Sequence, residues 1–270
     1  MRNLKLLLLG AALISFALSG CKKDADTDDQ QQFAVEMSYS MTMDEEIDLE
    51  TDEIVLGLET MSSDCPVITW EQPRGTFPNT VTIDFGTEGC EDRKGRIRKG
   101  IIRVNVNGEP KTTGTSVTTT FENHFVEDVQ FLGSRVLTLV SIDDQRNKTI
   151  RRIVDMQWIF PDDGTANRQA DHTIVQLDGG DTRRWLDDAL SISGSGSGTN
   201  RSGATYTHTI MQNLEKQADC RFISSGVLEM VIPRGTLSIN FGDGTCDRFA
   251  EATMPNGRTR TISIGRFWGN

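Results

Sequence analysis

Four cysteines in the body of the chain are the residues whose type and spacing most directly predict chemistry. Cys65 and Cys90 are 25 residues apart, and Cys220 and Cys246 are 26 residues apart. Four cysteines allow three pairings, but each second cysteine ends a similar block, TIDFGTEGC or SINFGDGTC. The duplication predicts that each repeat closes its own disulfide. A metal site or a redox pair is less favoured, because the sequence has no C-x-x-C motif and only three histidines.

Acidic residues in the two cysteine blocks are candidate calcium ligands. Asp84 and Glu88 lie in the first block, and Asp243 and Asp247 lie in and just after the second. Calcium takes six to eight oxygen ligands, several of them from one loop, and the sequence has no D-x-D-x-D-G run. Asp and Gly are also ordinary turn residues. We therefore expect no cofactor, with calcium at these four acids as the alternative.

Trp185 is the candidate for contact with an external ligand. It follows Arg183 and Arg184 in a polar segment, and an exposed tryptophan beside cations could stack on a glycan. Trp158 differs, because it alternates with polar residues in a strand-like run and is expected in the core.

Catalytic motifs of known spacing do not occur in the chain. There is no G-x-S-x-G and no H-E-x-x-H, and the three histidines are scattered. The two carboxylates of a glycosidase cannot be located from spacing. We therefore expect a non-catalytic protein. The alternative is a hydrolase acting on an extracellular polysaccharide or peptide.

The first 20 residues have the order of a secretory signal peptide, with a basic head, a short apolar core and small residues before the cleavage point. The sequence Leu-Ser-Gly followed by Cys21 resembles a bacterial lipobox, which implies that Cys21 carries the lipid. Residues 22–29, KKDADTDD, resemble the surface-export signal of Bacteroidota lipoproteins. These segments predict a protein anchored in the outer membrane and facing outward.

The net charge of −11 is concentrated near the N-terminus. Residues 24–64 contain 14 acids and no Lys or Arg, whereas residues 65–270 contain 25 acids and 24 bases. A nucleic-acid partner is not expected, because phosphate binding requires a basic patch. We interpret residues 21–62 as an acidic tether, disordered through Ser40, with a short amphipathic helix within residues 43–61.

Residues 63–270 have the pattern of a single all-β domain. Short runs alternate apolar and polar residues with period two, and turn residues recur about every ten positions. The pattern predicts an antiparallel meander that forms a sandwich or an open barrel. Two strand–turn–strand repeats, at residues 64–106 and 219–264, are each pinned by one disulfide.

The lipobox, the paired cysteine blocks, the run RKGIIRV and the run GTNRSG together resemble a family of uncharacterised Bacteroidota lipoproteins. The resemblance covers most of residues 64–265 and implies a location without implying an activity. We expect a lipid-anchored, surface-exposed module of the outer membrane that binds a ligand or has a structural role. The membrane is its partner through the lipid, and a glycan or an envelope protein is a further candidate.

Overall fold

A computed structural model describes residues 31–38, 40–41, 43–44, 47, 65–92, 95–161, 164–180 and 187–264. The described helical residues 31–38, 40–41, 43–44 and 47 form helix α1. The strands are β1 (Val67–Trp70), β2 (Asn79–Asp84), β3 (Cys90–Glu91), β4 (Ile97–Val106), β5 (Ser116–Val126), β6 (Val129–Ile142), β7 (Lys148–Ile159), β8 (Thr165–Asp178), β9 (Ala189–Thr199), β10 (Thr205–Lys216), β11 (Ser225–Ile232), β12 (Gly235–Asp243), β13 (Phe249–Thr253) and β14 (Thr259–Ser263).

The fourteen strands form one antiparallel meander. Strands pair in chain order from β1 to β14, except that the short β3 pairs with β4 off the main path. The prediction of an all-β antiparallel meander is therefore confirmed. The described strands form a single sheet that is not closed, with β1 and β14 at its two ends.

The alternation of side chains gives this sheet one buried face, which we call the inner face. In β8, for example, every second residue from Ala166 to Gln176 is buried and the residues between them are exposed. One core cluster joins buried residues of β6 to β14 with residues of α1. Nine strands in a flat sheet would span about 38 Å, whereas a helix is about 10–12 Å across. The helix therefore covers only part of this face, and the rest of the cluster is formed by side chains of the sheet.

Helix α1 begins in the segment that the sequence analysis assigns to a disordered stalk, so that assignment is wrong for residues 31–38. Phe33, Met37 and Met41 follow one another at intervals of four and are buried against the sheet. Burial of this apolar stripe, at about 25 cal/mol per Å², favours the helix despite the acidic composition of the segment. The signal peptide, Cys21 and most of the predicted 43–61 helix lie outside the described residues.

The two predicted disulfides are present. Cys65 bonds to Cys90 with a Cα–Cα distance of 6.0 Å, and Cys220 bonds to Cys246 with a distance of 5.7 Å. The first bridge lies at the β1 end of the sheet and the second among the turns that flank β11 and β12. Each bridge thus pins one repeat, and the repeats occupy opposite ends of the meander. In the part of the chain that is described, no helix combines the length and the apolar character needed to span a bilayer.

Candidate functional site

The structure does not bring the predicted ligand-contact residues and the predicted calcium ligands together in one site among the residues that it describes. Arg183, Arg184 and Trp185 lie outside the described residues. Two of the four acids have roles in turns: Asp84 accepts a hydrogen bond from the amide of Gly86, and Asp243 accepts two from Thr245.

Glu88 and Asp247 complete the set of predicted calcium ligands. Asp247 accepts a hydrogen bond from the amide of Phe249, and Glu88 is exposed in the first cysteine turn. Among the described residues, no three His, Cys, Asp or Glu side chains come together as a metal-binding group.

A cluster of charged and imidazole side chains is buried between α1 and the inner face. We call it the buried charge cluster, and its members are Asp44, Arg135, Arg152, Arg168, His172 and His208. The arginines come from the adjacent strands β6, β7 and β8, and the histidines from β8 and β10. Each of the six side chains is buried. Fully buried charges require paired partners, so this cluster is the feature of the fold that most needs an explanation.

Asp44 of α1 joins the helix to all three arginines. Its carboxylate contacts the guanidinium of Arg168, and its two oxygens lie 3.6 Å from Nε of Arg135 and 3.8 Å from Nη2 of Arg152. Arg135 also donates a 3.0 Å hydrogen bond to the backbone carbonyl of Asp44. Burial alone raises the pKa of Asp44, but the three guanidiniums outweigh burial and hold it far below its usual value. The carboxylate is therefore ionised in the folded protein.

The two histidines form a hydrogen-bonded chain whose tautomers follow from its geometry. Nη2 of Arg152 lies 3.4 Å from Nδ1 of His172, and a guanidinium can only donate, so Nδ1 accepts. Nε2 of His172 then carries the proton and donates to Nε2 of His208, 3.3 Å away. His208 keeps its proton on Nδ1, which has no hydrogen-bond partner among the described residues. Burial, reinforced by nearby arginines, lowers the pKa of His172 to about 2 and that of His208 to about 3, so both rings are neutral.

Strand β9 makes room for these rings through a row of glycines. Gly194 is opposite His172 and Gly196 is opposite His208 on the neighbouring strands. A Cβ atom on Gly196 would lie 2.4 Å from Cε1 of His208 and 2.3 Å from the carbonyl oxygen of Gln169. The Gly/Ser repeat of residues 193–198 is thus a packing requirement of the site.

The variant Gly196→Ala is expected to lower the free energy of unfolding by about 3 kcal/mol, because a methyl group must displace both the imidazole and a backbone carbonyl. Urea unfolding of the mature chain measures the effect. Ser195→Ala is the matched control, since Ser195 is exposed on the same strand. Equal stabilities of the two variants would contradict the packing role of the glycine row.

A small cavity lies beside the cluster, between the first turns of α1 and the inner face. Its aromatic walls are Phe33 of α1 with Trp158, Phe160 and Tyr206, and its polar lining includes Glu36 and Asn200. Phe33 and Tyr206 meet edge to face with their ring centroids 6.3 Å apart. The indole Nε1 of Trp158 is buried and has no hydrogen-bond partner among the described residues. The cavity therefore has mainly apolar walls, as ligand pockets do, and one of the side chains that line it carries an unused donor.

Glu36 is the carboxylate of this cavity. Its oxygens accept a 2.7 Å hydrogen bond from Gln32 and a 3.2 Å bond from the backbone amide of Arg201, whose guanidinium lies over the ring of Phe160. Burial raises the pKa of Glu36. The cavity volume is about 30 Å³, enough for one or two waters. A larger ligand can enter only if α1 or the side chains that line the cavity move.

The chemistry available at this site is recognition. His172 and His208 are neutral and buried, and both point into the interior, so they are poorly placed for proton exchange with a substrate in solution. Arginines on adjacent strands are suited to holding an oxyanion, because guanidinium forks match the geometry of a carboxylate. The site can bind a polar or anionic group under the helix.

Sequence reasoning missed this site, although signals for it exist. Arg152 has the same strand parity as the apolar Val154, Met156 and Trp158, and Arg168 has the same parity as Ala170 and Ile174. A charged residue at an otherwise apolar inward position marks a buried polar site. Comparisons with protein-family models, with curated proteins and with solved structures find no match to this chain.

Proposed function

We propose that the protein is a lipid-anchored lipoprotein of the outer membrane, displayed on the cell surface, whose β-sheet body is a non-catalytic binding module. The proposed binding site is the helix–sheet cavity together with the buried charge cluster beneath α1. The anchor rests on the signal peptide and the lipobox that ends at Cys21. Helix α1 lies within the segment that we interpret as the tether, so the segment that would lead to the membrane also packs on the inner face.

The observation that carries the binding role is the mixed chemistry under α1. This interface buries three arginines, which contact Asp44, and two neutral histidines. It also buries the indole Nε1 of Trp158, which has no hydrogen-bond partner among the described residues. Each buried polar group that is not hydrogen bonded lowers stability. An unsatisfied donor on a side chain that lines a cavity calls for an explanation, and a ligand that accepts this hydrogen bond would provide one.

The alternative function, hydrolysis of an extracellular polymer, predicts two carboxylates that face each other across a cleft. Within the described residues, the cavity is lined by one carboxylate, that of Glu36. Asp44 is committed to three guanidiniums. The arrangement therefore favours binding over hydrolysis.

The variant Cys21→Ala is expected to move the protein from the membrane fraction to the soluble fraction, because the lipid anchor depends on this thiol. Cell fractionation followed by immunoblotting measures the shift. For the wild type, protease added to intact cells should degrade the protein. Retention of the variant in the membrane would contradict the anchor, and protection of the wild type in intact cells would contradict surface display.

A ligand that enters the cavity is expected to change the emission of Trp158 and to speed hydrogen exchange in residues 31–38. The panel to screen comprises oligosaccharides, peptides and amphiphiles. Trp158→Phe removes the indole donor and should weaken binding about tenfold. Trp70→Phe is the matched control, because Trp70 lies in β1 at the far end of the sheet. If no compound changes either signal, the proposed binding role of this site is wrong.

A further inference from the structure

We propose that the three arginines of the inner face form a carboxylate-binding site, that α1 fills this site with its own Asp44, and that an amphiphile with one carboxylate and an unbranched apolar chain displaces the helix. This inference rests on the proposed function and assigns the chemical class of its ligand.

The cationic half of the site belongs to the sheet alone. Arg135, Arg152 and Arg168 lie on three consecutive strands that pair along their full lengths. The sheet register fixes the backbone positions of all three, so it keeps their side chains close together on one face. The carboxylate that meets all three belongs to a separate element, helix α1. Removing the helix would leave a preformed anion site on the sheet.

The apolar half of the site is also filled by the helix. Phe33, Met37 and Met41 pack in one core cluster with Leu190, Ile192 and other residues of the inner face. From Phe33 to Asp44 the helix rises by about 16 Å. A saturated chain of about a dozen carbons has a similar length, because carbon–carbon bonds of about 1.5 Å joined at angles of about 111° extend to about 14 Å over eleven bonds. Helix α1 thus presents an apolar stripe that ends in a carboxylate, which is the pattern of a fatty acid.

The point at which the helix can separate is the cavity beneath its first turns. Phe33, Glu36 and Met37 line this cavity from the helix side, and Trp158 and Tyr206 line it from the sheet side. The interface is incompletely packed there, whereas Met41 and Asp44 are buried. Nη1 of Arg168 lies 3.2 Å from the sulfur of Met41. An apolar chain can therefore enter at the start of α1 before its carboxylate reaches the arginines.

Competition between α1 and the ligand makes a quantitative prediction. The apparent affinity is reduced by the fraction of molecules in which the helix is closed. Asp44→Asn keeps the shape of the side chain and removes the charge, so it weakens the closed state. Breaking a fully buried ion pair shifts such an equilibrium on the order of 100-fold. The variant should therefore bind the amphiphile about 100-fold more tightly than the wild type.

The test uses the mature chain with dodecanoate, below its micelle-forming concentration, and follows hydrogen exchange in residues 31–38 together with calorimetric Kd values. Dodecanoate should bind the wild type and speed exchange, whereas acetate and dodecyltrimethylammonium at the same concentrations should not. Asp44→Asn should bind dodecanoate about 100-fold more tightly. Asp171→Asn, which removes an exposed partner of Arg151, should match the wild type.

Four results would overturn the inference: no binding of dodecanoate to either protein, equal binding of the cationic amphiphile, equal affinity of Asp44→Asn and wild type, or a dimer in light scattering in which α1 is exchanged between copies. If Asp44→Asn does not fold, the comparison of the two amphiphiles on the wild type decides. A response of Trp158 to an oligosaccharide, without a response to dodecanoate, would overturn this inference and leave the proposed function standing.

Discussion

Replacing Asp44 with Asn is expected to lower the free energy of unfolding by about 3 kcal/mol, the lower end of the range that is typical of removing one partner of a buried ion pair. The variant leaves the guanidiniums of Arg135, Arg152 and Arg168 in the interior without this carboxylate. Each of these side chains is 2% exposed or less, so solvent cannot replace the lost charge.

Chemical denaturation of the mature chain at pH 7 measures this effect, with helix α1 monitored separately by hydrogen exchange. The matched control is Asp171→Asn, which removes the carboxylate of the ion pair with Arg151 on the outer face. That pair is exposed, and solvent screening makes such pairs weak. A change at Asp44 no larger than the change at Asp171 would show that Asp44 does not hold the helix on the sheet.

Stability is expected to fall as the pH is lowered from about 7 towards 4. Burial lowers the pKa of His124 and His208 to about 3 and that of His172 to about 2, whereas histidine in the unfolded chain titrates near 6.5. Between these values the unfolded state binds more protons than the folded state. Stability therefore rises with pH in this window, by at most about 1.4 kcal/mol per pH unit for each histidine.

Two carboxylates titrate in the acidic range but do not reverse this expectation. The pKa of Asp44 is lowered, so its contribution is present above about pH 4 and is lost as the pH falls further. The pKa of Glu36 is raised by burial, so its contribution has the opposite sign and is lost as the pH rises through the folded value. One group of opposite sign offsets only part of the effect of three histidines.

Urea unfolding at half-unit steps from pH 4 to pH 8 tests the histidine contribution. His208→Gln should make the pH dependence of the free energy of unfolding shallower, because glutamine does not titrate. Glutamine is chosen because its side chain is polar and close to histidine in length. Lys148→Gln, at the start of β7, is a control that should keep the wild-type slope. A flat profile between pH 7 and pH 5 would mean that these imidazoles accept protons in the folded state.

The strands and the disulfides could be predicted from the sequence because both rest on local patterns. Alternation of apolar and polar residues in runs such as Gly226–Ile232 is a direct consequence of one buried face. The structure shows this alternation of burial in β11, which contains that run. The disulfide pairing followed from a duplicated block, since each copy closes its own loop. These features need no knowledge of what packs against the sheet.

The helix and the buried charge cluster could not be predicted in the same way. Acidic composition made residues 24–40 look like a solvated tether, although Phe33, Met37 and Met41 have helical spacing. Whether so short an apolar stripe forms a helix depends on its burial against the rest of the protein, which outweighs the effect of composition. The convergence of Asp44 with arginines about 90 to 125 residues later depends on strand register, which sequence spacing does not reveal.

Hydrogen exchange of the backbone amides of residues 33–38, in the mature wild-type chain at pH 7, is the most direct test of the claim that α1 is the inner layer of the fold and is held by Asp44. We predict that these amides exchange far more slowly than in an unfolded peptide, and that Asp44→Asn speeds their exchange on the order of 100-fold. The amides of β8 and β9 should remain better protected than those of α1 in the variant. Exchange of residues 33–38 at the unfolded-peptide rate in the wild type would contradict the account.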